Sequence, residues 1–524
     1  MPFDSSYRQP WQKPFIHISV TVRTADVLGL RNFPLLLILL ACSIKLPAKD
    51  ATLAQELQAE VEHSRFKHAH LGIKVIALPS GRVVFDHQGD KLFRPASNAK
   101  LFTGALVLDR FDPGHRLQTS CYVHARPDAS GVVNGDLIIY GRGDPSFSQR
   151  FHGRNADAPF KAFAKAIHAA GVRRVTGRLI ADESYFNVPA HGSGWTWDEL
   201  GQTYAAEVSA LSVNDNIGAL KIKPGTSLGA PGRVTLRPAT VPFEIINRTT
   251  TIAAGQKDNL YRHRLFQKNQ IVFAGQLHLK SPGRSFGLTV HRPARWFGQL
   301  LQRELISAGV QIDGPVEIRN HHERMLDPRS GTLVHIASVA SPTLLEITRV
   351  MMKESQNLYA QLLLLQVGMK TPVTGKNTEA AAIENLDRFV GEIGIPAEEV
   401  RMEEGSGLSR RTLLSPNALT KLLQHMSAHP RAKEFASTLT IAGRDGTLSG
   451  RMKNTTAANN LRGKTGSLNG TKALSAYVTN RRGQKLAFSI LLNNHSQSGD
   501  SAKIAIDRIA VKIANSSERF EKSR

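Results

Sequence analysis

Cysteine is almost missing from this chain: Cys42 and Cys121 are the only two in 524 residues. A disulfide framework is therefore excluded as the source of stability, and the fold must hold together by its core. No apolar run approaches the roughly 20 residues that a spanning helix needs. No repeat at solenoid spacing is visible, and the only biased stretch is a polar tail from Asn515 to Arg524. A His-Glu-x-x-His zinc motif is absent, and isolated pairs such as His68-Ala69-His70 and His321-His322-Glu323 read as surface, so neither metal nor cofactor is expected. Acidic residues are also scarce, 43 against 67 Lys and Arg, which leaves a net charge of +24. Such basicity suits a polyanionic partner. Because the cations are scattered and no recognised nucleic-acid module is present, the partner is expected to be an anionic wall or membrane surface and not nucleic acid, with a merely basic surface as the alternative.

What is present first is an address. Phe33 to Cys42 is apolar, follows Arg31, and at roughly 10 residues is too short to span a bilayer, so it reads as an export signal within a leader at 1–48. Ala41-Cys42-Ser43 offers a cleavage site, Leu39-Leu40-Ala41-Cys42 offers lipidation at Cys42, and an uncleaved anchor is a third reading. The stretch before the apolar run is long for a leader, as expected if translation starts further in. The expected location is the periplasm or cell envelope. The leader carries Arg8, Lys13, Arg23, Arg31 and Lys45 against Asp4 and Asp26, so its removal leaves the mature chain strongly basic.

Hydrophobic periodicity organises the remainder. His70 to Asp86 predicts a hairpin turning at Pro79-Ser80-Gly81, and Ala473–Val478 with Lys485–Asn493 predicts another around Arg481-Arg482-Gly483. Helices are expected from about Ser97 to Arg110 and over Ala502–Ala514. The middle is richer in short strands, among them Leu137–Tyr140, Arg178–Ile180 and Gln270–Phe273, with one helix over about Pro293–Ala308. Strands and helices at both ends with a long strand-rich middle suggest an α/β (α+β) domain interrupted by an insert.

Three motifs stand in order: Ser97-Asn98-Ala99-Lys100, Ser355-Gln356-Asn357 and Lys464-Thr465-Gly466. Three-residue spacing on a helix puts Ser97 and Lys100 on one face within hydrogen-bond reach. A neutral Lys100 could then take the Ser97 proton as the hydroxyl attacks a carbonyl carbon. Neutrality near pH 7 requires its pKa to fall roughly three units from about 10.4, on the order of 4 kcal/mol. Burial and a second cation, for which Lys464 is the candidate, can do that. Singly these motifs are weak: Ser64-Arg65-Phe66-Lys67 also fits the first, and Ser-x-Asn recurs at Ser212, Ser415 and Ser467. Lys-Thr-Gly occurs once, and the ordered set is the one used by β-lactamases and penicillin-binding proteins.

Arg94 to Leu101 resembles the nucleophile motif of the serine D-alanyl-D-alanine carboxypeptidase/endopeptidase family, the low-molecular-mass class C penicillin-binding proteins of the penicillin-binding protein 4 type. Met352 to Ala360 is similar to that family's second motif, with Gln356 where Asp is common. Further matching blocks are Glu404–Arg410, Ala442–Leu448, Gly141–Pro145 and Ser209–Asn214, so the resemblance runs from about 55 to 512. It implies a three-layer serine β-lactamase/DD-transpeptidase-like catalytic domain at 49–125 and 336–524. Two strand-rich domains would be inserted into it, one at 126–210 and 286–335, the other at 211–285.

The resemblance also implies roles: Ser97 as nucleophile, Lys100 as base, Ser355 as proton donor to the leaving group, and Asn357 holding Lys100 and the substrate amide. Lys464 would supply positive charge, Thr465 would bind the terminal carboxylate, and Gly466 would let the strand approach the substrate. The backbone N–H groups of Ser97 and Ser467 would form the oxyanion hole. Glu199 stands where the family places an acidic residue facing a diaminopimelate amino group, and Leu468 would line the same pocket; a merely solvated Asp198-Glu199 turn is the alternative. The implied partners are peptidoglycan stem peptides, with β-lactams as inhibitors. A β-lactamase or esterase on the same scaffold, or a wall-binding protein without activity, are the competing functions. Gly283–Gly287 matches a nucleophile elbow, but the strand pattern after it argues against one. Arg142-Gly143-Asp144 reads as a structural turn.

Overall fold

Strand alternation decides the architecture at both ends of the chain. In Thr471–Thr479, Lys485–Asn493 and His70–Ala77, side chains on both faces are apolar. A sheet of this kind must be covered twice. Leu474, Phe488, Ile490, Ile73 and Val75 point into one core, closed by the helices Leu53–Glu62 and Gly499–Asn515. Ala473, Ala487, Leu491 and Ile76 point into the other, filled by helices that include Lys100–Arg110, Asn357–Lys370 and Pro416–Ala428.

The computed structural model describes residues 51–520 except 63–65, 154 and 323–330. The leader, Cys42, Ser64 and Glu323 lie outside the described residues. From Ala51 onward the chain forms one compact unit. Its central sheet is antiparallel and six-stranded, in the order Thr440–Ile441, Arg462–Leu468, Thr471–Thr479, Lys485–Asn493, His70–Ala77, Val83–His87. The first long strand and the last pair in full register, His70 opposite Asn493 through to Ala77 opposite Leu486, which joins the chain ends into a three-layer α+β fold. Both predicted hairpins form.

The middle of the chain builds a five-stranded sheet in the order Val316–Arg319, Leu179–Asp182, Leu137–Tyr140, Arg116–Val123, Val334–Thr343, packed on helices Ala158–Ala169 and Pro293–Ser307. Arg116–Val123 and Val334–Thr343, the strands entering and leaving this region, pair with each other. This sheet therefore crosses the borders expected at 125/126 and 335/336. Three three-stranded sheets accompany it among the described residues. One of them joins Arg284–Thr289 to Ile217–Lys223 across the border expected at 285/286.

Other expectations resolve simply. Ser285 lies within the strand Arg284–Thr289, so Gly283–Gly287 is no elbow. Asp144 is buried, accepts from the Ser146 backbone N–H at 2.8 Å, and burial raises its pKa to about 6, while Arg142 stacks over Tyr140 at 4.9 Å. Trp197 is exposed. Among the described residues Cys121 is buried and unpaired, no cluster of three or more His, Cys, Asp or Glu could hold a metal, and no helix is long and apolar enough to cross a membrane.

Leu474 is fully buried on the middle strands of the central sheet. Leu474→Ala should cost about 2–5 kcal/mol in denaturant unfolding, because the sheet and terminal helix can collapse only partly around the cavity.

Candidate active site

The turn carrying Ser97 is built from its neighbours outward. Ala96–Ala99 is a 3-10 turn, and the α-helix expected from Ser97 begins only at Lys100. Ala96 adopts φ 49°, a left-handed conformation that non-glycine residues rarely occupy. Two glycines clamp this turn. A Cβ on Gly466 would fall 2.4 Å from the Pro95 carbonyl oxygen, and one on Gly407, at φ 78°, would fall 2.0 Å from that of Ala96. The missing side chain of Gly466 thus admits the nucleophile turn against the strand. Asn98 adds an anchor by donating to Ser475 Oγ at 2.7 Å, deep in the sheet.

From this turn the Lys100 side chain passes into the interior and is fully buried. Its Nζ donates to Ser97 Oγ at 2.8 Å, to Asn357 Oδ1 at 2.6 Å and to the Ser406 carbonyl at 2.7 Å. Burial brings its pKa down to about 7, against the attraction of Glu404, which acts to raise it. Glu404, also fully buried, accepts from the backbone N–H groups of Ser406 and Gly407 and from Ser406 Oγ. Desolvation is therefore the cause that lowers Lys100, where the sequence pointed also to Lys464. Repulsion between the two lysines acts on Lys464, which burial and the Lys100 charge hold well below the usual lysine range.

Ser355 follows the helix Leu344–Lys353 and has φ 59°, so its hydroxyl turns toward the sheet and accepts from Lys464 Nζ at 2.8 Å. Gln356, in place of the familiar acid, caps the next helix by accepting from the Leu358 backbone N–H at 3.1 Å. Asn357 is the first residue of that helix, and its Nδ2 donates to the Tyr204 carbonyl at 2.7 Å. Thr465 donates to Thr447 Oγ1 at 2.7 Å.

Ser97, Ser355, Asn357, Glu199, Ser467 and Leu468 line a single cleft of about 660 Å³. Lys100, Lys464, Thr465 and Gly466 stand behind or beside it through the contacts above. Glu199 is not merely a solvated turn residue: it accepts from Arg410 at 2.6 Å and from Thr196 Oγ1 at 2.9 Å. Sequence reasoning did not single out Glu404, Arg410, Tyr204, Thr447, Lys472 or His495. Lys472 donates to Ser467 Oγ, and with His495 and Tyr204 it lines the same cleft. The Glu404–Arg410 block was visible, but nothing in it marks Glu404 as the charge facing a buried lysine.

A hydroxyl bonded to a buried, weakly basic amine, with a second Ser–Lys pair in the same site, is an arrangement for nucleophilic acyl transfer. The chain belongs to the D-Ala-D-Ala carboxypeptidase 3 (S13) family, whose sequence profile matches residues 53–513. It is 30% identical over 478 residues to the D-alanyl-D-alanine carboxypeptidase of Actinomadura sp. (strain R39), an alignment that covers 89% of this chain and 85% of that one. Its fold matches the crystal structure of penicillin binding protein 4 from Haemophilus influenzae with a TM-score of 0.75 at 20% identity, covering 88% of this chain and 99% of the other. The complex of that Haemophilus protein with a β-lactam matches with a TM-score of 0.70 at 19% identity, covering 88% and 98%.

Glu404 attracts the Lys100 proton, so Glu404→Gln should move the acidic limb of the acylation rate to lower pH. The base works only when neutral, hence activity rises as pH climbs through the Lys100 pKa. The rate at pH 6, relative to its plateau, should increase about threefold or more in the variant, as read by stopped-flow acylation with a fluorescent penicillin on protein shown to be folded by near-UV circular dichroism.

Proposed function

We propose that this protein is an exported serine D-Ala-D-Ala carboxypeptidase, able also to act as an endopeptidase on cross-links, that trims peptidoglycan stem peptides and is acylated by β-lactams. The carrying observation is the 2.8 Å hydrogen bond between fully buried Lys100 and Ser97 Oγ. With a pKa brought to about 7, Lys100 is substantially neutral at physiological pH and takes the Ser97 proton as Oγ attacks the carbonyl carbon of the penultimate D-alanine. Backbone N–H groups of Ser97 and Ser467 receive the oxyanion. Ser355 passes a proton to the leaving D-alanine nitrogen as the C–N bond breaks, and water then hydrolyses the Ser97 ester.

Lys464 is held low in the free site by burial and by Lys100. A substrate carboxylate bound at Thr465 brings a compensating charge, so Lys464 takes up its proton when the substrate arrives. Asn357 holds both Lys100 and the substrate amide. Glu199, whose two oxygens accept from Arg410 and from Thr196 Oγ1, presents its remaining acceptor capacity on the cleft wall to the third residue of the stem peptide, beside Leu468. The catalytic domain is assigned to both ends of the chain, with the five-stranded region and the three three-stranded sheets as its inserted domains. Export to the periplasm or cell envelope rests on the Phe33–Cys42 run, and the basic surface is assigned to contact with an anionic wall or membrane.

Ser97→Ala should lower D-alanine release from a muropeptide by about 10³-fold or more and abolish penicillin labelling, with melting unchanged. Sustained fast hydrolysis of nitrocefin by the wild type would instead favour a β-lactamase.

A further inference from the structure

A second cleft, of about 350 Å³, lies on the other side of one wall of the catalytic cleft. The wall is the segment 197–204. Glu199 and Tyr204 line the catalytic cleft, while Trp197, Asp198 and Leu200 to Gln202 line the second. Its far side is furnished by the strand Asn259–Arg264 and the turn after it, which contribute Arg262, Arg264 and Phe266.

The chemistry of this cleft is unusual for an incidental surface hollow. Trp197 is 80% exposed and Phe266 63% exposed, so two large aromatic faces stand open to water within one concavity. Arg262 is half-buried, lies over the Phe286 ring at 4.7 Å, and has no carboxylate partner among the described residues. Arg264 is fixed by donating to the Lys268 carbonyl at 3.0 Å and to Thr289 Oγ1. Of the two carboxylates in the lining, Glu207 is occupied by His291 at 2.7 Å and by the Arg292 backbone N–H at 2.9 Å. Glu207 also attracts the Arg264 guanidinium, which leaves Arg262 as the cation in this cleft without a carboxylate partner among the described residues. Positioned arginines select a carboxylate, and flat aromatic faces cover the apolar face of a pyranose ring. The volume suits a small ligand portion rather than a protein surface.

We infer that this second cleft binds the carboxylate-bearing, sugar-linked half of the stem peptide, the part leading away from the scissile bond toward the glycan. The assignment rests on the D-Ala-D-Ala carboxypeptidase reading above. The shared wall sets the order: Ser97 holds the scissile end, Glu199 faces the third residue, and Trp197 with Arg262 receives what comes next. The carboxylate pairs with Arg262, and the sugar stacks on Trp197. The protein thereby distinguishes a wall fragment from a bare D-alanyl-D-alanine peptide.

The test compares two substrates in Trp197→Ala and Arg262→Ala, neither of which touches the reacting atoms. kcat/KM for D-alanine release from a disaccharide-pentapeptide should fall about tenfold or more in each variant, while that for a short acylated peptide ending in D-Ala-D-Ala, and the rate of penicillin acylation, should stay within about twofold. Arg262→Lys should recover part of the loss. Equal effects on both substrates, or loss confined to cross-linked dimers, would overturn the inference. A second readout separates it from the assigned reaction: calorimetry of disaccharide-tripeptide binding to Ser97→Ala, with and without Trp197→Ala. Binding weakened by Trp197→Ala in a protein whose wild type releases no D-alanine leaves the cleft standing and removes the carboxypeptidase reading. Release with unaltered binding does the reverse.

Discussion

A lysine ammonium with no access to water is the constraint around which the site is arranged. Taking Lys100 out of solvent favours its neutral form, and three acceptors around Nζ with one buried carboxylate nearby keep that bias from going further. The balance places the amine near neutrality while it touches the Ser97 hydroxyl. Each neighbouring feature serves that geometry. Gly466 and Gly407 let the turn close, Asn98 ties it to the sheet, and the backbone N–H groups around Glu404 hold the opposing charge in place. Lys464, buried close to the same amine, cannot comfortably carry a second charge until an anion arrives.

The insert is braced against this machinery and does more than enlarge the chain. Asn357, which accepts from Lys100, donates to the Tyr204 carbonyl on the wall between the two clefts. Two residues further on, buried Tyr359 donates to Asp215 Oδ1 at 2.7 Å, and Arg150 holds the other oxygen at 2.6 Å. Asp215 sits at φ 61° just before the first strand of a three-stranded sheet. The helix that begins with Asn357 is thus tied to two separate parts of the insert. A buried, satisfied network of this kind fixes geometry more than it adds stability.

Much of this was legible in the residues. The short apolar run Leu486–Leu492 and the turn at Arg481-Arg482-Gly483 identify a hairpin without help from the fold. The ordered Ser97, Ser355 and Lys464 motifs identify residues that the structure gathers. What escaped the sequence depends on contacts between distant segments. The 3-10 start at Ala96–Ala99 is forced by packing against Gly407 and Gly466, not by local propensity. The strands Arg116–Val123 and Val334–Thr343 pair across more than two hundred residues, so composition gives no border there. Glu404 and Arg410 stand in a block that could be quoted, yet their partners Lys100 and Glu199 are found only when the chain closes on itself.

The account depends on the protonation state of one amine. Labelling lysines with ¹³C at Cε and following the Lys100 resonance with pH, assigned through Lys100→Arg, reads that state directly. A midpoint at about 7 is predicted; a midpoint near the ordinary lysine value of about 10.4 would contradict the account.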